Sequence, residues 1–461
     1  MKRDRTELLL REPNLYRAFL ILTLPVFGAN FMRAFNELVD TYFIGQTANS
    51  VASQAGVAIA WPLLNIFASF QVGFGVAGVA VISQLLGAGR QEKARENAGV
   101  LLVVAVLFGG ALNALLYLLA PAIMGLMGTQ GAALECAVTY VRVRSFELLF
   151  TFVFQAFQAV RQARGDTVTP VILSVTSILL NIVLTGLFVQ GLGLGVFGAA
   201  LATVLGNVAV APVGLALLFR PGEPAGLRID ALRVRRRVLW RLCRVAAPAA
   251  SSQALSSLGF LVLQGLILSY GEEIAAAFSI GNKISNILLM PVLALGSVLA
   301  AFVGQNTGAG NSRRARQAYS ASRNIGLLLA VAGSLLLFPL RGWMVTLLSN
   351  DAATQAAAYE YLFWVLLTQP LMSLFQNYLG VFNGLGRTSY SFLMSTCRLW
   401  VIRLPLLFFF RRCTGLGASG VWYAMNISNL LIVLLGAFLF RRLEFAPSQS
   451  MAAGPAGEED T

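Results

Sequence analysis

The sequence describes an all-α membrane protein of about twelve transmembrane helices, built as two homologous six-helix lobes around a central cavity. Three observations lead there. Of 461 residues, 57% are hydrophobic and 12% charged, with mean hydropathy +0.73; soluble domains are about 25% charged. Apolar runs of roughly 20 residues, enough to cross a bilayer, recur along the chain. They are continuous rather than alternating, which excludes a β-barrel. The two halves also repeat at a steady offset. Ser83-Gln84-Leu85-Leu86-Gly87-Ala88-Gly89 answers Gly304-Gln305-Asn306-Thr307-Gly308-Ala309-Gly310 at 221 residues, an offset shared by Arg95 with Arg316, Gly165 with Gly386 and Thr167 with Thr388. Asn207 meets Asn429 at 222, and Pro25 meets Pro248 at 223. An even number of spans per repeat makes both halves enter the membrane in the same sense, related by an axis along the membrane normal.

Residues 1–14 form a polar, basic start with no small-residue cleavage site, so no cleavable signal peptide is expected. The N-lobe, 15–219, holds apolar segments at 15–44, 51–82, 97–120, 138–160, 168–190 and 196–219. A polar inter-lobe linker at 220–240 carries the basic run Arg233 to Arg237. The C-lobe, 241–441, holds segments at 241–270, 275–305, 322–345, 356–382, 390–410 and 418–440. The tail, 442–461, turns rich in Pro, Ser, Gly and acid from Ala446 and is expected to be disordered. Pro25, Pro62, Pro248 and Pro291 fall inside spans, where they would kink helices and could change access.

The formal charge is +14. In a soluble chain that would suggest nucleic acid, but the positive residues lie in short connections. One alternate set holds Arg90, Lys93, Arg95, Arg161, Arg164, the 220–240 linker, Arg313, Arg314, Arg316, Arg387, Arg441 and Arg442. The other set holds no Lys or Arg except Arg341 and the pair Arg411-Arg412. Basic connections stay inside, so both termini are expected to be cytoplasmic, in a cell (inner) membrane, with no nucleic-acid partner.

Histidine is absent, which removes Ser-His-Asp and Cys-His catalysis, His-ligated zinc and His proton relays. Cys136, Cys243, Cys397 and Cys413 form no C-x-x-C pair and read as small apolar residues. No P-loop exists, so uphill transport would need an ion gradient. No enzyme activity and no cofactor are expected.

Within the first span, Arg33, Asn36, Glu37 and Asp40 stand at i, i+3, i+4, i+7, one face of a helix. A charge at mid-bilayer costs about 2.5–3.5 kcal/mol, and the default reason to accept it is an ion or substrate pathway. Arg33 and Glu37, four apart, can offset each other. Asp40, about 7 Å inside the outer end, is then the candidate to bind H⁺ or Na⁺. Asn181 and Thr185 in span 5 and Thr203 and Asn207 in span 6 fall at similar depth. A carboxylate with amide and hydroxyl oxygens suits a proton or a small hard cation. The plainer reading of Asn181, Thr203 and Asn207 is hydrogen bonding between helices. Met32, Met290 and phenylalanines such as Phe154 could line an adaptable apolar cavity. Arg142, Arg144 and Glu147, near the outer end of span 4, read as internal pairing or snorkelling. Lys283, Arg398 and Arg403 lie deeper, with no clear partner in sequence. The two Gly-Ala-Gly runs read as matched helix C-caps rather than phosphate loops.

Several of these stretches resemble the multidrug and toxic compound extrusion (MATE) transporters: Leu38-Val39-Asp40-Thr41-Tyr42-Phe43-Ile44-Gly45, Val303-Gly304-Gln305-Asn306-Thr307-Gly308-Ala309-Gly310, Arg164-Gly165-Asp166-Thr167-Val168-Thr169-Pro170 and Leu180-Asn181-Ile182-Val183-Leu184. The resemblance covers 15–441. Span 7 carries Pro248-Ala249-Ala250-Ser251-Ser252-Gln253 and no acid, which is more similar to the DinF-like than the NorM-like branch. The resemblance implies alternating access and export of cationic or amphipathic small molecules in exchange for H⁺ or Na⁺, with Asp40 as coupling residue and Asn181 and Thr203 lining its pocket. Asp40, Asn36, Glu37, Asn181, Thr185, Thr203 and Asn207 form the expected ion site; Met32, Asp40, Phe154, Asn181 and Met290 form the expected substrate site. Relatives often carry Asp-Pro where this chain has Thr185-Gly186, so a second pocket carboxylate is missing. That weakens Na⁺ and leaves H⁺ favoured, with Glu37 either paired to Arg33 or sharing the ion. A monomer in the lipid bilayer is expected. The alternatives are a flippase for a lipid-linked precursor, suited by the cationic C-lobe interior, and a non-transporting membrane receptor.

Overall fold

A computed structural model describes residues 5–46, 50–127, 130–220 and 227–445. Among these residues no strand occurs, and twelve long helices account for nearly all of the chain. They are α1 Leu15–Gly45, α2 Ser50–Gly87, α3 Gln91–Leu126, α4 Gly131–Ala163, α5 Val168–Gly191, α6 Gly195–Leu218, α7 Arg236–Leu268, α8 Glu272–Gly308, α9 Ser312–Leu348, α10 Ala352–Gly384, α11 Thr388–Cys413 and α12 Ser419–Arg441. A short helix, Arg5–Leu10, precedes them. The expected tail lies almost wholly outside the described residues, as do residues 221–226 of the linker.

Each helix matches one expected span, and most run a turn or more past the apolar segment. α9, expected from 322, starts at Ser312. The reason is capping: Asn311 accepts the Arg314 backbone N–H at 3.0 Å, and basic side chains occupy the added turns. Asn14 and Asp351 cap α1 and α10 in the same way. Ten of the twelve are long and apolar enough to cross a membrane by composition; α4 and α10 have the length but are too polar. Both are tied into the lobes, and α4 turns a polar stripe inward.

The lobes exchange their first helices. The start of α1 packs in the C-lobe core, where Phe19 stacks on Phe302 at 4.5 Å, while its end, at Ile44, packs against Val189 and Ala199 of the N-lobe. α7 does the reverse: Val238, Leu242, Val245 and Ala246 join the N-lobe core, and Leu263 and Ile267 the C-lobe core. A boundary between lobes drawn at 219/241 therefore follows the chain but not the packing.

The repeated glycine motifs close one face of the molecule. Gly89 (φ 72°) and Gly310 (φ 75°) terminate α2 and α8 in the left-handed region. Just before them the two helices cross. A Cβ on Gly87 would collide with the Gln305 carbonyl, and one on Gly308 with the Gln84 carbonyl. The two glutamines then bond across the lobes, Gln84 Nε2 to the Gly384 carbonyl at 2.8 Å and Gln305 Nε2 to the Ala163 carbonyl at 2.6 Å. The short N-terminal helix seals the same face: Leu9 is fully buried, and its carbonyl accepts from Asn306 at 3.1 Å.

Candidate functional site

Opposite that closed, basic face lies a cavity of about 920 Å³. Its walls are four helical stripes of the N-lobe, each a product of i, i+3, i+4 spacing. α1 supplies Arg33, Asn36, Glu37, Asp40, Thr41 and Ile44. α4 supplies Tyr140, Arg144, Glu147, Thr151, Phe154, Gln155 and Gln158. α5 adds Ser174, Ser177 and Asn181, and α6 adds Thr203 and Asn207. Gln54, Trp61 and Gln71 of α2 complete that side. The C-lobe contributes Ser279 and Lys283 of α8. The cavity expected between equal lobes is thus mainly an N-lobe chamber with one edge on α8.

Among the described residues, Asp40 is one of three carboxylates on its walls, with Glu37 and Glu147. Thr185 Oγ1 donates to Oδ1 at 3.4 Å and Asn36 Nδ2 to Oδ2 at 3.3 Å, both long bonds. Asn181 Nδ2 donates to Thr203 Oγ1 at 3.1 Å, and Asn207 Nδ2 to the Thr203 carbonyl at 3.1 Å. These bonds fit the plainer helix-to-helix reading of Asn181 and Thr203. The side-chain carbonyl oxygens of Asn36 and Asn181 are buried and have no donor among the described residues, which leaves two acceptors next to Asp40's hydrogen-bonding partners unsatisfied. Of the expected site residues, Asn36, Glu37, Asp40, Asn181, Thr203, Asn207 and Phe154 line the chamber. Thr185 is fully buried behind Asp40. Met32 and Met290 are not on its walls; Met32 is one residue off the α1 stripe that faces inward.

Arg33 and Glu37 both line the chamber and each lies in the other's electrostatic field, as expected of charges four apart, although among the described residues no bridge within 4 Å joins them. Arg144 and Glu147 form the internal pair expected of them, and the pair stands on the chamber wall. They pair at 2.5 Å inside the chamber, while only Arg142 turns away, lying over the Tyr117 ring at 5.2 Å. Of the deep C-lobe cations, Arg403 and Arg398 have partners and Lys283 lines the chamber. Arg403 donates to Ser428 Oγ at 2.9 Å and to Asn429 Oδ1 at 2.7 Å; Arg398 donates to Met372 Sδ at 3.3 Å and lies over Phe375 at 4.5 Å. The chamber wall on α4, which the sequence reading did not place, had a signal there, since 140, 144, 147, 151, 155 and 158 form one continuous polar stripe along α4.

The sequence model of the MatE family matches twice, over residues 25–187 and 248–409, once per repeat. Among curated proteins, the chain is 24% identical over 440 residues to "Probable multidrug resistance protein YoeA" of Bacillus subtilis (strain 168), covering 93% of this chain and 94% of that one. It is 26% identical over 440 residues to the "FAD transporter" of Shewanella oneidensis, covering 93% and 94%. Among solved structures, an outward-facing multidrug resistance MATE family transporter of the MOP superfamily superposes with a TM-score of 0.88 at 22% identity, covering 98% of this chain and 99% of that one. Two family matches in register with the two lobes, and a shared fold across the chain, lead to one conclusion: this chain belongs to the MatE family.

Proposed function

We propose that this chain is a secondary active antiporter that exports cationic or amphipathic small molecules in exchange for H⁺ by alternating access, from a cell membrane with both termini cytoplasmic. The observation that carries the reading is Asp40. It is a carboxylate inside the chamber, held among the described residues by long bonds from Thr185 and Asn36. Relatives named as multidrug resistance proteins support the substrate class. With the basic face closed, the chamber opens outward. A proton entering there neutralises Asp40, loosens its hydrogen bonds and those of Asn36, Asn181 and Thr203, and releases substrate. The lobes then rock, and the proton leaves on the basic side. One charge crossing about 100 mV yields roughly 2.3 kcal/mol, enough for a roughly 40-fold gradient. Na⁺ would need further anionic ligands; Asp40 has no second acid on α5, where Thr185 stands.

A second reading takes an anionic amphipathic substrate. Arg33 and Lys283 line the chamber, and among the described residues neither has an acid within 4 Å. The relative named FAD transporter fits that reading.

Flux in proteoliposomes, with pH and Na⁺ gradients imposed separately, tests the proposal. Asp40→Asn is expected to abolish pH-driven export of a cationic dye while leaving dye binding within about threefold, since Asn keeps shape and hydrogen bonding but cannot carry the proton. Export at the wild-type rate by Asp40→Asn would sink the mechanism. Uptake of FAD but not dye would select the anionic reading.

A further inference from the structure

The α4 pair has no place in the mechanism so far, although it sits at the coupling carboxylate. Arg144 Nε meets Glu147 Oε2, and its Nη1 donates to the Tyr140 hydroxyl at 3.0 Å, the ring lying 5.5 Å from the guanidinium carbon. Arg144 and Glu147 line the same chamber as Asp40 and Glu37. The charged and titratable groups facing this point are Arg33, Glu37 and Asp40 from α1, Tyr140, Arg144 and Glu147 from α4, and Lys283 from α8. Three are acidic and three basic, and only one pair is closed within 4 Å. A guanidinium has five donors and can serve two carboxylates in turn.

We propose that Arg144 is a positioning residue for ion coupling: a tethered cation that leaves Glu147 for Asp40 when Asp40 loses its proton, and returns to Glu147 when Asp40 regains it. The inference rests on the reading of Asp40 as the proton-coupling residue. The exchange is a proton-linked swap of ion-pair partners with no covalent step. While Asp40 is ionised, Arg144 neutralises it inside the membrane. Glu147 is then freed into the chamber, where a cationic substrate can meet it. Protonation of Asp40 sends Arg144 back to Glu147 and expels that substrate. One guanidinium shared between two acids thereby makes substrate and proton exclude each other. It also brings a carboxylate of α4 into play on a wall where α5 offers only Thr185.

The test is the proton-concentration dependence of dye export in proteoliposomes for Arg144→Gln, Glu147→Gln, Arg144→Lys and, alongside, Asp40→Asn. Removing the cation deprives ionised Asp40 of its counter-charge, so Arg144→Gln is expected to reach half-maximal export at about tenfold lower proton concentration. Glu147→Gln leaves Arg144 on Asp40 and is expected to need about tenfold higher proton concentration. Arg144→Lys should keep its half-maximal point close to wild type. Opposite displacements support the exchange. Lower rates with unmoved midpoints, or displacements of the same sign, overturn it and leave a merely structural pair. If Arg144→Gln does not fold, Glu147→Gln decides alone: an acid displacement supports the proposal and an unmoved midpoint defeats it. Loss of pH-driven export in Asp40→Asn shows that a failed exchange is not a failed Asp40; wild-type pH dependence there overturns the Asp40 reading itself.

Discussion

Asn207 and Asn429 occupy the same place in the two repeats, yet they do different work. In the N-lobe, Asn207 bonds back to its own helix at Thr203 and faces the chamber. In the C-lobe, Asn429 is buried and accepts from Arg403. The C-lobe cation is thereby satisfied by neutral oxygens of α12, while the N-lobe keeps its polar groups open to a ligand. Removing one partner of a buried charged donor costs about 1.5–3 kcal/mol. Asn429→Leu should therefore lower the melting midpoint in detergent by several degrees, with Asn207→Leu moving it much less; equal losses would mean that Arg403 does not depend on Asn429.

Helix starts show how a local cap sets an element. Asp351 accepts the Thr354 backbone N–H at 2.7 Å, and that bond holds its carboxyl below the usual carboxylate range. A carboxyl depressed in the folded state stabilises the helix start above its unfolded range, about pH 4. The contribution fades as pH falls through the depressed range. Amide exchange in the first turn of α10 should quicken on acidification below about pH 4 in the wild type, whereas Asp351→Asn, which caps without titrating, should show no such acid step. α4 teaches a different lesson. Its polar stripe put it below the apolarity expected of a span, yet that stripe is what builds the chamber wall.

Across the whole molecule, the two lobes meet at the basic face through a matched set of contacts. α2 and α8 touch backbone to backbone at Gly87 and Gly308, and Gln84 and Gln305 bond reciprocally across the lobes. Each hydrogen bond is worth about 1 kcal/mol, so losing both would shift a balanced two-state equilibrium roughly 30-fold. Gln84→Ala with Gln305→Ala should raise the labelling rate of a cysteine placed on the chamber wall by a reagent applied from the basic side. Unchanged labelling would mean that other contacts hold that face. α1 joins that face to the site: its start packs in the C-lobe core and its end, past Asp40, packs against α5 and α6 of the N-lobe.

Span number, two-fold repetition, the α1 polar face and the glycine motifs were all legible in the chain, because apolar length, helical period and a steady offset are local or one-dimensional properties. The MATE resemblance rested on the same local stretches. What meets across helices was not legible. That Arg33 and Glu37, four apart, share a face could be read from their spacing; that Glu147, over a hundred residues away in sequence from Asp40, lines the same chamber could not. Nor could Leu9 be placed beneath Asn306, or α1 in two cores at once. Period decides which face a side chain is on; only the packed arrangement of helices decides which faces meet, because distances between helices depend on crossings that no single segment contains.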